Sequence, residues 1–450
     1  MGILKRFAVA AVATGMAGAA GLAGWQARPA EAATASVALP ISTYSHMLID
    51  PAHHHIFFTG GSSSTSILVT DYSGNTVATI PGETGATGLA LSGDGSTVYA
   101  ALAGADAVSA ISTATLTETT RYATGTEPVY VAYTSGKIWF GYGGATQGGI
   151  GSVDPSTGTV TLNATNDPVN SWYAAPILAA SQGGELAAGE PGQSPVQLAT
   201  YNVASGTATV LAPELFDQSA DNLQSMQITP DGNDLVTASA FPYDQQVYKV
   251  SDLSSDGQYP TTNYPNSVSI AADGTVAAGT YSGSNEVFVF APGGTTPLNT
   301  YNFGSSWLAG DGVALTPDGS ELFAITSADP YGDNPTLNII PDPEQAPSTL
   351  SLTGPATARA GQKITLSGTL GGPASDVGGQ VLTVTRFDSA HPNGVTLPSA
   401  TTAADGTFSF TDRAPVVRGR GTSTVTYQVS YAGDTHLSPA SASASVTVQN

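Results

Sequence analysis

The chain has 450 residues, 34 acidic against 12 basic side chains, a formal net charge of −22 at pH 7, and no cysteine. The missing cysteine excludes disulfides, thiolate metal sites and lipid attached through a cysteine. The acidic surplus lies in residues 33–345, where 28 acids face only Arg121, Lys137 and Lys249, so a phosphate backbone is repelled and no nucleic-acid partner is expected.

At the N-terminus, Lys5 and Arg6 precede an Ala- and Gly-rich apolar run from Phe7 to about Gly24. Ala30 and Ala32 then place small residues at minus three and minus one of a cleavage site. This is the pattern of a secretory signal peptide over residues 1–32, and the mature chain is expected to be secreted, extracellular or loosely wall-associated. No later stretch approaches the ~20 apolar residues of a spanning helix, so no transmembrane segment is expected after cleavage.

Residues 35–41 (ASVALPI) read as a lone strand. Beyond it one unit recurs: an alternating apolar strand, a tight turn, a second strand. It is clearest in LALSGDGSTVYAA from Leu89, MQITPDGNDLVTA from Met226, VSIAADGTVAAG from Val268 and VALTPDGSELFAI from Val313. Degenerate copies begin at Met47, Val131 and Leu178. The leading apolar residues recur every 42 to 48 residues, which makes seven copies. A shifted frame would give six or eight. Asp-Gly supplies the positive φ of a tight hairpin, and third and fourth strands follow in segments such as ILVTDYSGNTVATI from Ile67. Four antiparallel strands per ~45 residues is the grammar of a propeller blade. The seventh copy stops at Pro341 without a fourth strand. The strand at 35–41 is expected to supply it by pairing with residues 337–340, because an open ring leaves unpaired edges.

The DG-containing first hairpins and the turn Asp154-Pro155-Ser156-Thr157-Gly158 resemble the YVTN-type, surface-layer-like propeller repeats of bacterial exported proteins. The resemblance implies a seven-bladed β-propeller over residues 33–345. It implies little about activity, because that family holds proteins without a known reaction beside a few lyases and lactonases.

Residues 341–347 (PDPEQAP) form a Pro-rich linker, and the charge changes across it: residues 346–450 carry six bases and five acids. Short alternating segments begin near Thr349, Lys363, Gln380, Val395, Thr407, Ser423 and Ser441. Seven short strands broken by Gly, Pro and Asp-Gly turns predict an immunoglobulin-like β-sandwich over 346–450. The stretch YAGDTHLSPASASASVTV from Tyr431 resembles the closing strands of bacterial Ig-like repeats, which implies a spacer or tether. The expected fold class is therefore all-β.

Standard chemistry is scarce. There is no G-x-S-x-G, H-E-x-x-H or Walker motif, and the mature chain has only Trp139, Trp172 and Trp307, with no repeated tryptophan docking motif. His53-His54-His55 falls on the first hairpin turn, where consecutive side chains diverge, and is read as an exposed turn rather than a metal site. No cofactor is expected. Ca²⁺ at Asp329, Asp333 and Asn334 has no loop motif behind it.

In a propeller, the loops leading into the innermost strands share a face with the loops between second and third strands. That face is the candidate ligand-binding face. Its channel ring holds Ser45, His46, Thr87, Tyr130, Trp172, Gln224, Asn266 and Asp311. Its outer loops carry Tyr142, Phe241, Tyr243, Asp244, Tyr281, Asp329, Tyr331 and Asp333. Two readings follow. One is a non-catalytic binder of a wall polymer, glycan or protein. The other is a lyase or lactonase in the central channel, which requires at least two titratable groups converging in a polar pocket.

Overall fold

The computed structural model describes residues 35–450, apart from 145–146, 167–171, 218, 262, 283–285, 329–332, 375, 417–420 and 435. The signal-peptide segment thus lies outside the described residues.

Seven four-stranded antiparallel sheets follow one another along the chain. Their first strands are His46–Asp50, Ala86–Leu91, Pro128–Thr134, Ile177–Ala180, Asp221–Ile228, Pro265–Ile270 and Trp307–Leu315. The repeated hairpins form for the reason their sequence gives. Gly95, Gly232, Gly274 and Gly319 all adopt positive φ, between +71° and +93°. The preceding aspartate closes the turn: Asp94 accepts from the Ser92 and Ser96 hydroxyls, and Asp318 from that of Ser320. The second strands are buried along nearly their whole length, as in Thr97–Leu102 and Glu321–Ser327, because each sheet is covered on both faces by its neighbours. The fourth strands, such as Thr117–Ala123, are largely exposed.

Apolar layers fill the gaps between consecutive sheets, and one of them joins the last sheet to the first. Met47, Ile49, Phe58 and Leu68 meet Phe323, Ile325, Leu337 and Ile339 there, all nearly inaccessible. The lone N-terminal strand, Ala35–Ala38, pairs antiparallel with Thr336–Pro341 and places Val37 opposite Leu337. It is shorter than its sequence pattern: Leu39 lies beyond the ladder, although its N–H still donates to the Pro335 carbonyl at 2.9 Å. Neighbouring first strands are also tied by side chains. Thr87 Oγ1 donates to the Val129 carbonyl at 2.6 Å, and the Val313 and Leu315 N–H groups donate to Ser267 and Ser269 Oγ at 2.9 Å. The arrangement is propeller-like.

The C-terminal residues form a three-stranded sheet and a five-stranded mixed sheet that share one core, including Leu366, Leu382, Phe408, Val425, Tyr427 and Val446. Among the described residues eight strands are present rather than seven. The extra one, Thr357–Arg359, pairs parallel with the last strand. Three residues are too few to show alternation, so its sequence does not betray it.

The Pro-rich linker is not free chain. Asn299 Nδ2 donates to the Pro343 and Gln345 carbonyls at 2.8 and 2.7 Å, and Tyr301 Oη to that of Pro343 at 3.1 Å. On the other side, Gln345 Nε2 donates to the Asp434 carbonyl and Ala346 N–H to that of His436.

Candidate ligand-binding face and channel mouth

A cavity of about 660 Å³ is lined by residues of all seven first strands. At its mouth lies an irregularity found, among the described residues, in the seventh sheet alone. Between Leu308 and Val313 the first strand advances five residues while its partner advances two, from Thr326 to Ala324. The corresponding bulges at Ala86/Leu89, Leu223/Ser225 and Pro265/Ser267 each add a single residue. The three extra residues of the seventh sheet carry Asp311 into the mouth.

Asp311 sits in the left-handed region, φ +52°, between Gly310 and Gly312. A Cβ on Gly312 would come within 2.6 Å of the Ala309 carbonyl, so only glycine fits there. The carboxylate bridges two sheets. Its Oδ2 meets His46 Nδ1 at 2.6 Å, and its Oδ1 accepts from Ser225 Oγ at 2.6 Å. The Tyr44 hydroxyl donates to the Asp311 carbonyl at 2.7 Å. Burial alone would raise the Asp311 carboxyl, but His46 and the Ser225 hydroxyl outweigh it and hold the group below the usual range. Burial, with the Asp311 charge adding to it, lifts the Tyr44 hydroxyl well above its ordinary value and pushes Tyr130 up to about 12. The titratable groups His46 and Asp311 therefore converge in the channel. Ser225 donates to Asp311 and not to the imidazole, so no serine–histidine nucleophile pair is assembled.

The remaining candidates separate. Tyr130 and Gln224 line the cavity, and Gln224 Nε2 donates to Asn222 Oδ1 at 2.6 Å. Asn266 is buried and points its amide at the Leu308 and Ala309 carbonyls, steadying the base of the long bulge instead of meeting a ligand. Trp172 is also buried, in one cluster with Trp139 and Leu186, and so offers no ring to a ligand. Tyr142 is buried too, its hydroxyl donating to Asn163 Oδ1 at 2.9 Å. Asp244 joins strand to loop, accepting from Thr261 N–H and Gln258 Nε2 at 3.3 and 3.1 Å. Tyr331 and Asp329 lie outside the described residues. Asp333 pairs with Thr43 in an isolated bridge.

At the channel-mouth end, Tyr243 is 43% exposed and sits in an aromatic cluster. Phe241 and Tyr264 meet it edge-on, with centroids 5.8 and 5.0 Å away. On the next sheet, Tyr281 stacks on Trp307 at 4.7 Å. Ser225, Tyr44 and Tyr264 escape a reading of the sequence. Register could have found the first, since Ser225 precedes Met226 as His46 precedes Met47. At the opposite end, His53 Nδ1 pairs with Asp50 at 2.8 Å and its ring stacks on His55, while His54 turns to Tyr72. His53 and His55 thus share a side instead of diverging. Among the described residues, no three His, Asp or Glu side chains are grouped to hold a metal ion, and no helix is long and apolar enough to cross a membrane.

No protein-family model and no curated protein matches the chain. Among solved structures, it is similar to Kuenenia stuttgartiensis hydrazine synthase at 15% identity and a TM-score of 0.52, over 68% of this chain and 97% of that one. It is also similar to the Myceliophteria thermophila Cps50 (Swd1) β-propeller domain, at 12% identity and a TM-score of 0.52, over 68% of this chain and 99% of that one. Likeness at this identity shows the fold alone: an all-β chain whose repeated four-stranded sheets are arranged as in a β-propeller domain.

Proposed function

We propose that this protein is an exported, non-catalytic binder: a closed seven-bladed propeller of YVTN type with a C-terminal Ig-like spacer or tether. Its channel-mouth face takes a wall polymer, glycan or protein. The pairing of Val37 with Leu337 and the apolar layer between last and first sheets support the closed ring. The face itself rests on one observation, the cluster of Phe241, Tyr243 and Tyr264, each between 43% and 49% exposed. Large rings held against one another in water carry a solvation cost that contact with a ligand removes. Tyrosine adds a hydroxyl for hydrogen bonds at the edge of a stacked sugar or peptide.

The test is a sedimentation assay of the purified protein on insoluble cell-wall polymer. The double variant Tyr243→Ala/Tyr264→Ala is expected to lower the bound fraction about tenfold, with an unchanged melting temperature. Undiminished binding by a folded double variant refutes the aromatic face. A second reading, a channel lyase or lactonase, is favoured by the convergence of His46 and Asp311.

A further inference from the structure

We propose that the channel mouth binds a cationic group, an ammonium or guanidinium, on the carboxylate of Asp311. This site is separate from the aromatic face and does not depend on it.

Among the described residues, Asp311 is the only acidic one lining the cavity, and neither Lys nor Arg lines it. Its two oxygens each take one hydrogen bond, from His46 and Ser225. A carboxylate offers about four acceptor positions, so roughly two remain for a ligand. The side chain is still 32% exposed, and that exposure is to the channel. Leu89, Ile177 and Met226 line the same cavity, and Tyr130 packs against the cluster that holds the last two. The cavity therefore fits a cationic head on a short alkyl stem. Around it, the acidic body of residues 33–345 concentrates cations near the mouth.

The backbone points the same way. A non-glycine residue at φ +52° stays there only when its surroundings hold it. Here the holding groups are Tyr44 and His46 from one side of the ring and Ser225 from across it. A three-residue insertion is more than the sheet needs for its turn, since the other bulges manage with one. What it accomplishes is the placement of one clamped carboxylate over a cavity without a fixed cation from Lys or Arg.

A cationic head of this kind belongs either to a free small molecule or to a basic side chain on a partner protein. Agmatine and an end-blocked Gly-Arg-Gly peptide represent the two. Isothermal titration of the full purified chain in about 0.15 M NaCl, where diffuse attraction is screened, is expected to give saturable one-site binding of at least one probe. Binding of agmatine supports the site with a small-molecule ligand, and binding of the peptide alone supports it with a partner side chain. Asp311→Asn is expected to weaken binding by about tenfold or more. Asp231→Asn, on a hairpin at the other end of the sheets, should leave it unchanged. Three results overturn the site: no saturable binding of either probe, undiminished binding by Asp311→Asn, or a loss with Asp231→Asn equal to that with Asp311→Asn.

Discussion

Individual acids in this protein divide into two groups with opposite linkage to pH. The hairpin aspartates Asp94, Asp231 and Asp318 are held low by local hydrogen bonds, Asp94 to about 2 through Ser92 and Ser96. Glu83 is the reverse. It is fully buried, neither oxygen makes a well-formed hydrogen bond, and Arg121 stands 3.7 Å away. Burial raises it, with Glu118 adding to the rise, while Ser109 and Arg121 offset part of it. A raised folded value means that the folded state favours the proton. The stability this contributes is complete below the ordinary carboxylate range and is lost as pH climbs through the raised value. Glu83→Gln cannot ionise. It should melt with the parent protein at pH 4 and about 1–3 °C above it at pH 7, by differential scanning calorimetry. A variant that is less stable at pH 7 would mean that attraction to Arg121 outweighs burial. Glu190 and Glu286 are likewise raised by burial, but they accept backbone N–H groups, Glu190 from Tyr173 and Ala174 and Glu286 from Phe303. They are fastenings between loops, and neutral variants there should gain nothing.

Among the elements, the short strand Ala35–Ala38 has the largest consequence for its size. Its four ladder positions complete the seventh sheet, and Val37 and Leu39 contribute to the layer between the last and first sheets. Deleting residues 35–41 leaves the edge of Thr336–Pro341 unpaired and strips that layer of cover. We expect a fall in melting temperature of about 10 °C or more, or aggregation through the exposed edge. A chain beginning at Ser42 that melts like the full protein would refute the closing role. The sequence pattern announced this strand because an apolar segment stood alone before the first repeat and a partner was missing from the last. It did not announce the long bulge at Leu308–Val313. A glycine-flanked aspartate reads as one more turn until the paired strand shows how many residues are unmatched.

For the whole molecule, the joint between the propeller-like body and the C-terminal sheets departs most from its sequence. A Pro-rich heptapeptide with a charge step across it reads as an exposed hinge open to proteases. In the folded chain, Asn299 and Tyr301 hold its carbonyls from one side, and His436 and Asp434 engage it from the other. Residues 341–348 should therefore resist limited proteolysis. The double variant Asn299→Ala/Tyr301→Phe should be nicked there several-fold faster, as read by mass spectrometry of the fragments. Equal cutting of both proteins would show that these hydrogen bonds do not order the joint.

What the sequence determined by itself was whatever repeats: seven strand–turn–strand units, their Asp-Gly hairpins, the missing last strand and its supplier. Each of these is local, set by alternation over a few residues and by the backbone freedom of glycine at a turn, so it can be read without knowing any neighbour. The site was legible in part. His46, Tyr130, Gln224 and Asp311 were placed at the mouth by counting along the repeats, and the cavity lining includes all four. The same counting put Trp172 and Asn266 there, and both are buried. Position along a strand says which end of a sheet a residue occupies, but not whether its side chain turns to the channel or into the layer between sheets. That choice depends on the register of the paired strands and on the room left by the adjoining sheet. Only the tertiary structure could bring Ser225 and His46, 179 positions apart in the chain, onto one carboxylate. The contact exists because strands of the first, fifth and seventh sheets all border one cavity, so His46 and Ser225, distant in sequence, each come within 3 Å of Asp311.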